Sequence, residues 1–273
     1  MDSSETLILI TNDDGVHAPG IKHLWQTVIQ KHEAIVAAPS QEQSAVGLSV
    51  TIRQPLRIEP ITWHGMTQEG VWSISGTPVD TVKLACHSLL PRPPNLIVSG
   101  INRGSNAGRN LLYSGTVAAV IEGVLQGIPG IAFSMVDYPN PFYEEAKPFI
   151  SHIIDFVLQH PLPAGTFLNV NFPKRSSEGI KGVRLTRQGK EFIKENPELR
   201  RQPGENSPYY WLGSQIAEFD EDEESDIHWL KNGFAAAVPI HISELTHHHH
   251  LDNHRDLFEK FINQANARYT SMS

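Results

Sequence analysis

Residues Leu7–Thr11 read LILIT and stop abruptly at Asn12-Asp13-Asp14-Gly15. A short apolar run closed by strong turn residues is the pattern of a strand buried on both faces, as in parallel sheets. Pro19-Gly20 then opens residues 21–30, where Ile21, Leu24, Trp25 and Val28 share one helical face. Residues 34–38 read as a second strand. A strand, a polar turn, a helix and a strand thus follow one another almost from the first residue. That order commits the chain to an alternating α/β architecture.

The pattern recurs downstream. Residues 96–99 read as a strand followed by a glycine-rich loop over 100–108. Residues 115–126 read as a helix with Val117, Val120, Ile121 and Val124 on one face. Residues 130–134 and 167–171 read as strands, and Tyr143–Gln159 as a helix. The expected fold is therefore a Rossmann-like, mainly parallel sheet with helices on both faces. After about Pro173 the composition changes: residues 174–232 are rich in charge and include an acidic stretch at 218–226. This region is expected to form a hairpin arm used for self-association. Residues 251–269, with Leu251, Leu257, Phe258, Phe261 and Ile262 near helical spacing, are expected to form an amphipathic terminal helix docking on the core or a second subunit. The expected division is a catalytic core over 1–173 and an arm with terminal helix over 174–273, the latter not an independent domain.

Charge narrows the partners. The net charge is −8, from 22 basic and 30 acidic residues, and there is no long Lys/Arg run. Such a chain is a poor ligand for nucleic-acid polymers. The single cysteine, Cys86, cannot form an internal disulfide and reads as a small core residue in a reducing compartment. The first apolar run is too short for a signal-peptide core, and no run approaches the ~20 residues a membrane span needs. A soluble, cytoplasmic protein is expected.

Chemistry concentrates after the strands, where open parallel sheets place their sites. Asp13 and Asp14 follow the first strand; two adjacent carboxylates repel each other, and a hard divalent cation would relieve this. The purely structural alternative is a polar turn in which Asn12 and Asp13 cap the next helix. The loop APSQEQSAVG follows the second strand and offers Ser44 as an oxygen ligand. The loop SGINRGSNAGRN offers the amide oxygen of Asn102 to a metal and Asn106 to phosphate oxygens. It has neither the Gly-Lys-Ser/Thr ending of a Walker loop nor the dinucleotide fingerprint. Finally, Tyr113-Ser114-Gly115-Thr116 directly precedes a helix, whose N–H groups and dipole suit an anion; a plain N-cap by Ser114 is an equal alternative. Ser75-Gly76-Thr77-Pro78 reads as an ordinary helix start.

TNDDGVHAPGI, APSQEQSAVG, SGTPVDTVKLA, SGINRGSNAG and YSGTVAA, in this order, closely resemble the SurE family of survival-protein nucleotidases. The resemblance is dense from about Leu7 to Asn171 and weaker through VRLTRQG and YYWLG. It implies a 5′/3′-nucleotidase acting on nucleoside monophosphates, with side activity on short polyphosphate. It implies one divalent ion per subunit, Mg²⁺ or Mn²⁺, on Asp13, Asp14, Ser44 and Asn102. It puts phosphate on Asn106, Ser114, Gly115 and Thr116. It further implies a homodimer or homotetramer with an extended hairpin and an exchanged C-terminal segment. Arg103 and Ser105 in the glycine-rich loop, the loose segment Asp226–Pro239 and the acidic arm depart from the family pattern.

The mechanism this predicts is in-line attack on phosphorus by a metal-activated water, with Asp13 or Asp14 orienting or deprotonating it. An aspartyl-phosphate route is less natural, because adjacent side chains diverge. The contrasting reading is a non-catalytic nucleotide-binding regulatory module on the same scaffold. His247–His250, four consecutive histidines, reads as a solvated loop, since one contiguous run rarely sets three ligands on one face.

Overall fold

The computed structural model describes residues 6–63, 70–194, 196–202, 204, 207–213, 215–217 and 219–270, with backbone alone for 264–270. Residues 1–5, ahead of the first apolar run, and Glu218 of the acidic stretch lie outside the described residues. The elements run β1 (Leu7–Thr11), α1 (Pro19–Val28), β2 (Glu33–Pro39), β3 (Ile58–Pro60), β4 (Val71–Ile74), α2 (Pro78–Leu84), β5 (Leu96–Arg103), α3 (Gly115–Leu125), β6 (Gly130–Met135), α4 (Tyr143–Gln159) and β7 (Thr166–Phe172). They continue with β8 (Val183–Leu185), β9 (Phe192–Lys194), β10 (Glu198–Arg201), β11 (Pro208–Trp211), β12 (Gln215–Ala217), α5 (Asp226–Lys231), β13 (Ala235–His241) and α6 (His248–Thr270).

Among the described residues the main sheet has nine strands in the order β3-β4-β2-β1-β5-β6-β7-β13-β8. β4, β2, β1, β5, β6 and β7 all run parallel to their neighbours, while β3 and β13 are antiparallel to β4 and β7. The chain leaves β1 toward β2 and β4, then returns to β5 on the other side of β1. That reversal opens a crevice at the carboxyl ends of β1 and β5, the place where open α/β sheets hold ligands.

Alternation along β1 sends its side chains to two different layers. Ile8 and Ile10 join a core with Ile21, Leu24 and Val28 of α1 and Ile150, Ile154 and Val157 of α4. Leu9 joins the opposite core with Val82 of α2 and Ala119 of α3. All five β1 residues are buried, so the run of apolar residues reports a strand covered on both faces. α2 starts as expected at Thr77, whose hydroxyl accepts from Asp80 N while the Asp80 carboxylate accepts from Thr77 N, with Pro78 in the first turn.

β5 corrects the expected loop over 100–108. The strand continues through Gly100 to Arg103, with a register shift between Ser99 and Asn102 that keeps it paired to β6. Glycine is required there: Gly100 has φ +132°, and a Cβ would lie 2.3 Å from Phe133 O. A glycine-rich segment that hydrogen-bonds into a sheet is indistinguishable from a loop by composition, because glycine carries no face pattern.

Beyond residue 173 the chain returns to the sheet. β13 pairs with β7 over six residue pairs from Ala236↔Asn171 to His241↔Thr166, and β8 adds outside it. The hairpin arm itself is a ribbon in which β9 pairs with β12 and β10 with β11, both antiparallel. It presents Leu199, Tyr210, Trp211 and Ile216 to solvent. Residues 242–273 form a separate compact unit. It contains α6, in which Leu257, Phe258 and Phe261 are exposed. The expected histidine loop is corrected here too. His248–His250 are the first turn of α6, and His247 closes it by accepting His250 N at Nδ1, 3.0 Å.

Candidate functional site

β1 delivers Asp13 and Asp14 into the crevice. Asn12 and Asp13 do not cap α1: its N-cap is Ala18, without a side-chain bond, and Asn12 Nδ2 instead donates to Gly15 O at 3.0 Å. The pair therefore does not cap the helix, while Asn12 still closes a polar turn. Asp13 is 6% exposed. Its Oδ1 accepts the Thr116 hydroxyl at 2.5 Å, and its backbone carbonyl accepts Gln43 N at 2.8 Å. Asp14 Oδ2 accepts the backbone N–H of Arg103 at 3.1 Å. The two carboxylates are thereby held by α3 and by the end of β5.

The N-terminus of α3 comes up against Asp13. A Cβ on Gly115 would lie 2.8 Å from Asp13 Cβ and 3.1 Å from Oδ2, so only glycine permits this approach. Ser114 is the N-cap and its Oγ accepts Val117 N at 3.2 Å. Thr116, expected at the phosphate, directs its hydroxyl to Asp13. Asn106 is part of the same buried chain of bonds. Its Nδ2 donates to Ser134 Oγ at 2.8 Å and to Thr116 Oγ1 at 3.4 Å, and its N–H to Asn171 Oδ1 at 2.9 Å. Asn169 Nδ2 donates to Asn106 O at 2.9 Å. A polar network therefore runs from β7 through the glycine-rich segment to Asp13.

Asn102 sits immediately before the Arg103 N–H that binds Asp14. Its Nδ2 donates to Gly104 O at 3.0 Å, which leaves the amide oxygen as the atom to offer a cation. Ser44 is less committed to the pair: it is exposed, and its hydroxyl donates to Glu42 Oε1 at 2.6 Å. Glu42, which sequence reasoning passed over, brings a further negative charge that raises both Asp13 and Asp14. Its signal was its place two residues before Ser44 in a loop already assigned to the site.

Electrostatics of the pair are unfavourable without a cation. Burial, opposed by the Thr116 bonds, holds the Asp13 carboxyl above the usual carboxylate range. Burial first, and the Asp13 charge second, push Asp14 up to about 7. Thr11 Oγ1, Asn12 Oδ1 and Ser99 Oγ are buried nearby in sequence and register, with no hydrogen-bond partner among the described residues. Among the described residues no group of three or more His, Cys, Asp or Glu side chains gathers as metal ligands. The donors present are carboxylate, amide and hydroxyl oxygens, which fit a hard ion such as Mg²⁺ or Mn²⁺ and not a thiolate or imidazole metal.

The raised Asp14 carboxyl gives a pH prediction for protein stripped of divalent ions. A folded pKa above the unfolded value stabilises the fold at low pH, and that contribution disappears as pH rises through about 7. Melting measured in EDTA from pH 5 to 8 should show wild type losing stability relative to Asp14→Asn as pH rises. Parallel curves for the two proteins would contradict it.

Asp226 is a second buried carboxylate that the sequence did not single out. It is fully buried at the start of α5 and accepts N–H bonds from Gly108 (2.9 Å), Gly189 (2.8 Å) and Ile227 (2.8 Å). It ties the end of the glycine-rich segment to the turn before β9, and lay hidden inside an acidic run that reads as solvated surface. Asp226→Ala leaves three buried donors without an acceptor, so unfolding in urea should show a loss of about 3 kcal/mol or more.

The fold and the site define a class: a doubly covered α/β protein with a paired-carboxylate, oxygen-donor centre at the switch point of its sheet. Residues 8–195 match the family described as Survival protein SurE. The 5′-nucleotidase SurE of Protochlamydia amoebophila (strain UWE25) is 59% identical over 261 residues, covering 96% of this chain and 100% of that protein. The 5′-nucleotidase SurE of Flavobacterium psychrophilum is 42% identical over 246 residues, covering 90% and 95%. The crystal structure of the SurE protein from Aquifex aeolicus superposes with a TM-score of 0.78 at 34% identity, covering 92% of this chain and 99% of that one. The chain belongs to the SurE family.

Proposed function

We propose that this chain is a divalent-metal-dependent phosphomonoesterase that hydrolyses nucleoside 5′-monophosphates, and 3′-monophosphates, to nucleoside and phosphate. The observation that carries this reading is the Asp13–Asp14 pair, Asp13 buried and Asp14 half-buried, with both carboxyls pushed up and the N-terminus of α3 against it. The relatives' name, 5′-nucleotidase SurE, supports the substrate class. Asp13, Asp14, Asn102 and Ser44 would hold one Mg²⁺ or Mn²⁺, Ser44 after its hydroxyl leaves Glu42. The ion supplies positive charge against the phosphoryl oxygens when bound.

The remaining work falls to the chain. Thr116 anchors Asp13 through its hydroxyl, so the carboxylate keeps one orientation. Asp14 takes the Arg103 N–H at Oδ2, and its Oδ1 is assigned the proton of the attacking water. Asn106, Ser114, Gly115 and Thr116 grip the phosphate, with the first N–H groups and positive end of α3 facing the developing charge. Short polyphosphate presents the same terminal phosphoryl group and falls within this reading.

The chain is further proposed to act as a homodimer or homotetramer. Exposed Tyr210, Trp211 and Leu212 on the ribbon, and Phe258 and Phe261 on α6, support this. So does the apolar groove between α4 and the outer strands, lined by Phe149, Phe156, Val183 and Leu185. Among the described residues no helix is long and apolar enough to cross a membrane.

Phosphate release from a panel of nucleoside monophosphates, with Mg²⁺, Mn²⁺ or EDTA, tests the proposal. Metal-dependent release, abolished in EDTA, is expected. Nucleotide binding by folded protein with no release under any metal would favour the non-catalytic regulatory module.

A further inference from the structure

The segment that closes the centre also carries a cationic side chain paired with an aromatic ring. Arg103 is the last residue of β5, and its backbone N–H is the group that binds Asp14. Its side chain turns onto Tyr138, which follows β6. The guanidinium carbon lies 4.3 Å from the centre of the Tyr138 ring, and Nη2 donates to Tyr138 Oη at 2.8 Å. Tyr138 is itself seated. Its ring stands beside Gly104, where an added Cβ would come within 3.5 Å of Tyr138 Cδ2. The neighbouring Asp137 accepts Asn140 N and Arg175 N at 3.3 and 3.4 Å, which ties down the turn that carries the ring.

Both side chains remain open to solvent; Tyr138 is 53% exposed. The guanidinium lies against the Tyr138 ring and is held by the bond to its hydroxyl, which leaves its outer side open. A stack plus a hydrogen bond pre-orders a long side chain whose rotamer entropy would otherwise oppose any contact. The outcome is an ordered cationic and aromatic surface beginning one peptide from Asn102 and one hydrogen bond from Asp14. A nucleotide whose phosphate lies at the carboxylate pair must place its base somewhere on the rim of the crevice. A flat π-system stacks on a guanidinium or an aromatic ring whatever its hydrogen-bonding edge.

We propose that Arg103 and Tyr138 form the platform on which the nucleobase of a nucleoside monophosphate stacks. This rests on the nucleotidase reading above and adds to it how the base is held. The platform contacts the π-face and not the edge, so it favours nucleotides over base-free phosphate esters and ranks purines above pyrimidines by stacking area alone.

The test compares adenosine 5′-monophosphate with p-nitrophenyl phosphate and glycerol phosphate, in wild type, Arg103→Ala, Arg103→Lys and Tyr138→Ala. With adenosine 5′-monophosphate, KM is expected to rise about tenfold in Arg103→Ala, with kcat held within about twofold. Tyr138→Ala should raise KM by a smaller factor. With glycerol phosphate, kcat/KM should change less than about twofold in Tyr138→Ala, and in the Arg103 variants it should fall by a smaller factor than with adenosine 5′-monophosphate. Arg103→Lys keeps the charge but not the plane, so it should fail to restore KM. Equal losses on all three esters, or rescue by lysine, would overturn the platform and make Arg103 a charge partner of the phosphate. Equilibrium dialysis of adenosine 5′-monophosphate in Mg²⁺ separates the two proposals. Binding weakened by Arg103→Ala in a protein that releases no phosphate would retain the platform while removing the nucleotidase. Equal binding by wild type and Arg103→Ala would remove the platform.

Discussion

Asp13→Asn is expected to lower metal-dependent phosphate release by about a thousandfold or more while leaving the protein folded. The size follows from the role of charge in phosphoryl transfer, where catalysis is positioning and electrostatics with little covalent work by the protein. Asp13 is anchored by Thr116 at Oδ1 and packed against Gly115, so an amide would occupy the same place with no negative charge. It would also lose acceptor strength toward the Thr116 hydroxyl. Stability should move the other way. Burial already raises the Asp13 carboxyl, so without divalent ions a neutral amide relieves repulsion with Asp14 and Glu42. The check is paired: phosphate release with saturating Mn²⁺, and melting in EDTA at pH 8. Lost activity with an unchanged or higher melting temperature is expected. More than a tenth of wild-type activity would remove Asp13 from the centre, and a collapsed melting temperature would assign it a structural role.

Gly100→Ala is expected to be the most damaging single methyl group near the site. Its φ of +132° lies where L-residues rarely go, and the new Cβ would sit 2.3 Å from Phe133 O, a backbone atom of the adjacent strand. β6 cannot yield by rotating a side chain; it must move, and Phe133 is among the largest fully buried residues of the core. A loss of about 3 kcal/mol or more is expected, lowering the melting temperature by about 6–12 °C for a chain of this size. Activity should fall further than stability alone explains, because the register shift at Ser99/Asn102 aims Asn102 and the Arg103 N–H at Asp14. Melting and kcat measured below the transition separate the two effects. A variant with wild-type kcat would show that the strand end tolerates the shift.

Both predictions turn on positions whose meaning was unevenly legible. Asp13 and Asp14 could be found from sequence because they interrupt an apolar strand with charge, and a strand end in a parallel sheet is where sites form. Gly115 could be placed at a helix start, but its need to be glycine came from Asp13, over a hundred residues away in the chain. Thr116 looked like a phosphate contact because hydroxyls at helix starts often are. Its hydroxyl also reaches a carboxylate, since β1 and α3 are adjacent in space. Glu42 had only its place in the loop of Ser44 to mark it, and Asp226 had no local signature: a charge in a polar stretch is ordinarily solvated, and the packing of distant segments gives these two a role. The nucleobase platform is of the same kind, since Arg103 and Tyr138 lie on separate strand ends and meet only in the sheet.

The sequence by itself determined what depends on neighbours along the chain. These are the buried strand at Leu7–Thr11, the helix periodicities of α1, α3 and α4, the turn chemistry at Asn12–Gly15, the capped start of α2, and the ordered motifs of the SurE family. Strand and helix periods, caps and turns act over a few residues, so they are written locally. Tertiary structure alone decided the rest. It extended β5 through a run of glycines to Arg103, brought β13 back beside β7, and joined Asn171, Asn106, Thr116 and Asp13 into one buried network. Those outcomes depend on hydrogen bonds between segments far apart in the chain. No local pattern encodes which partner a buried donor will meet.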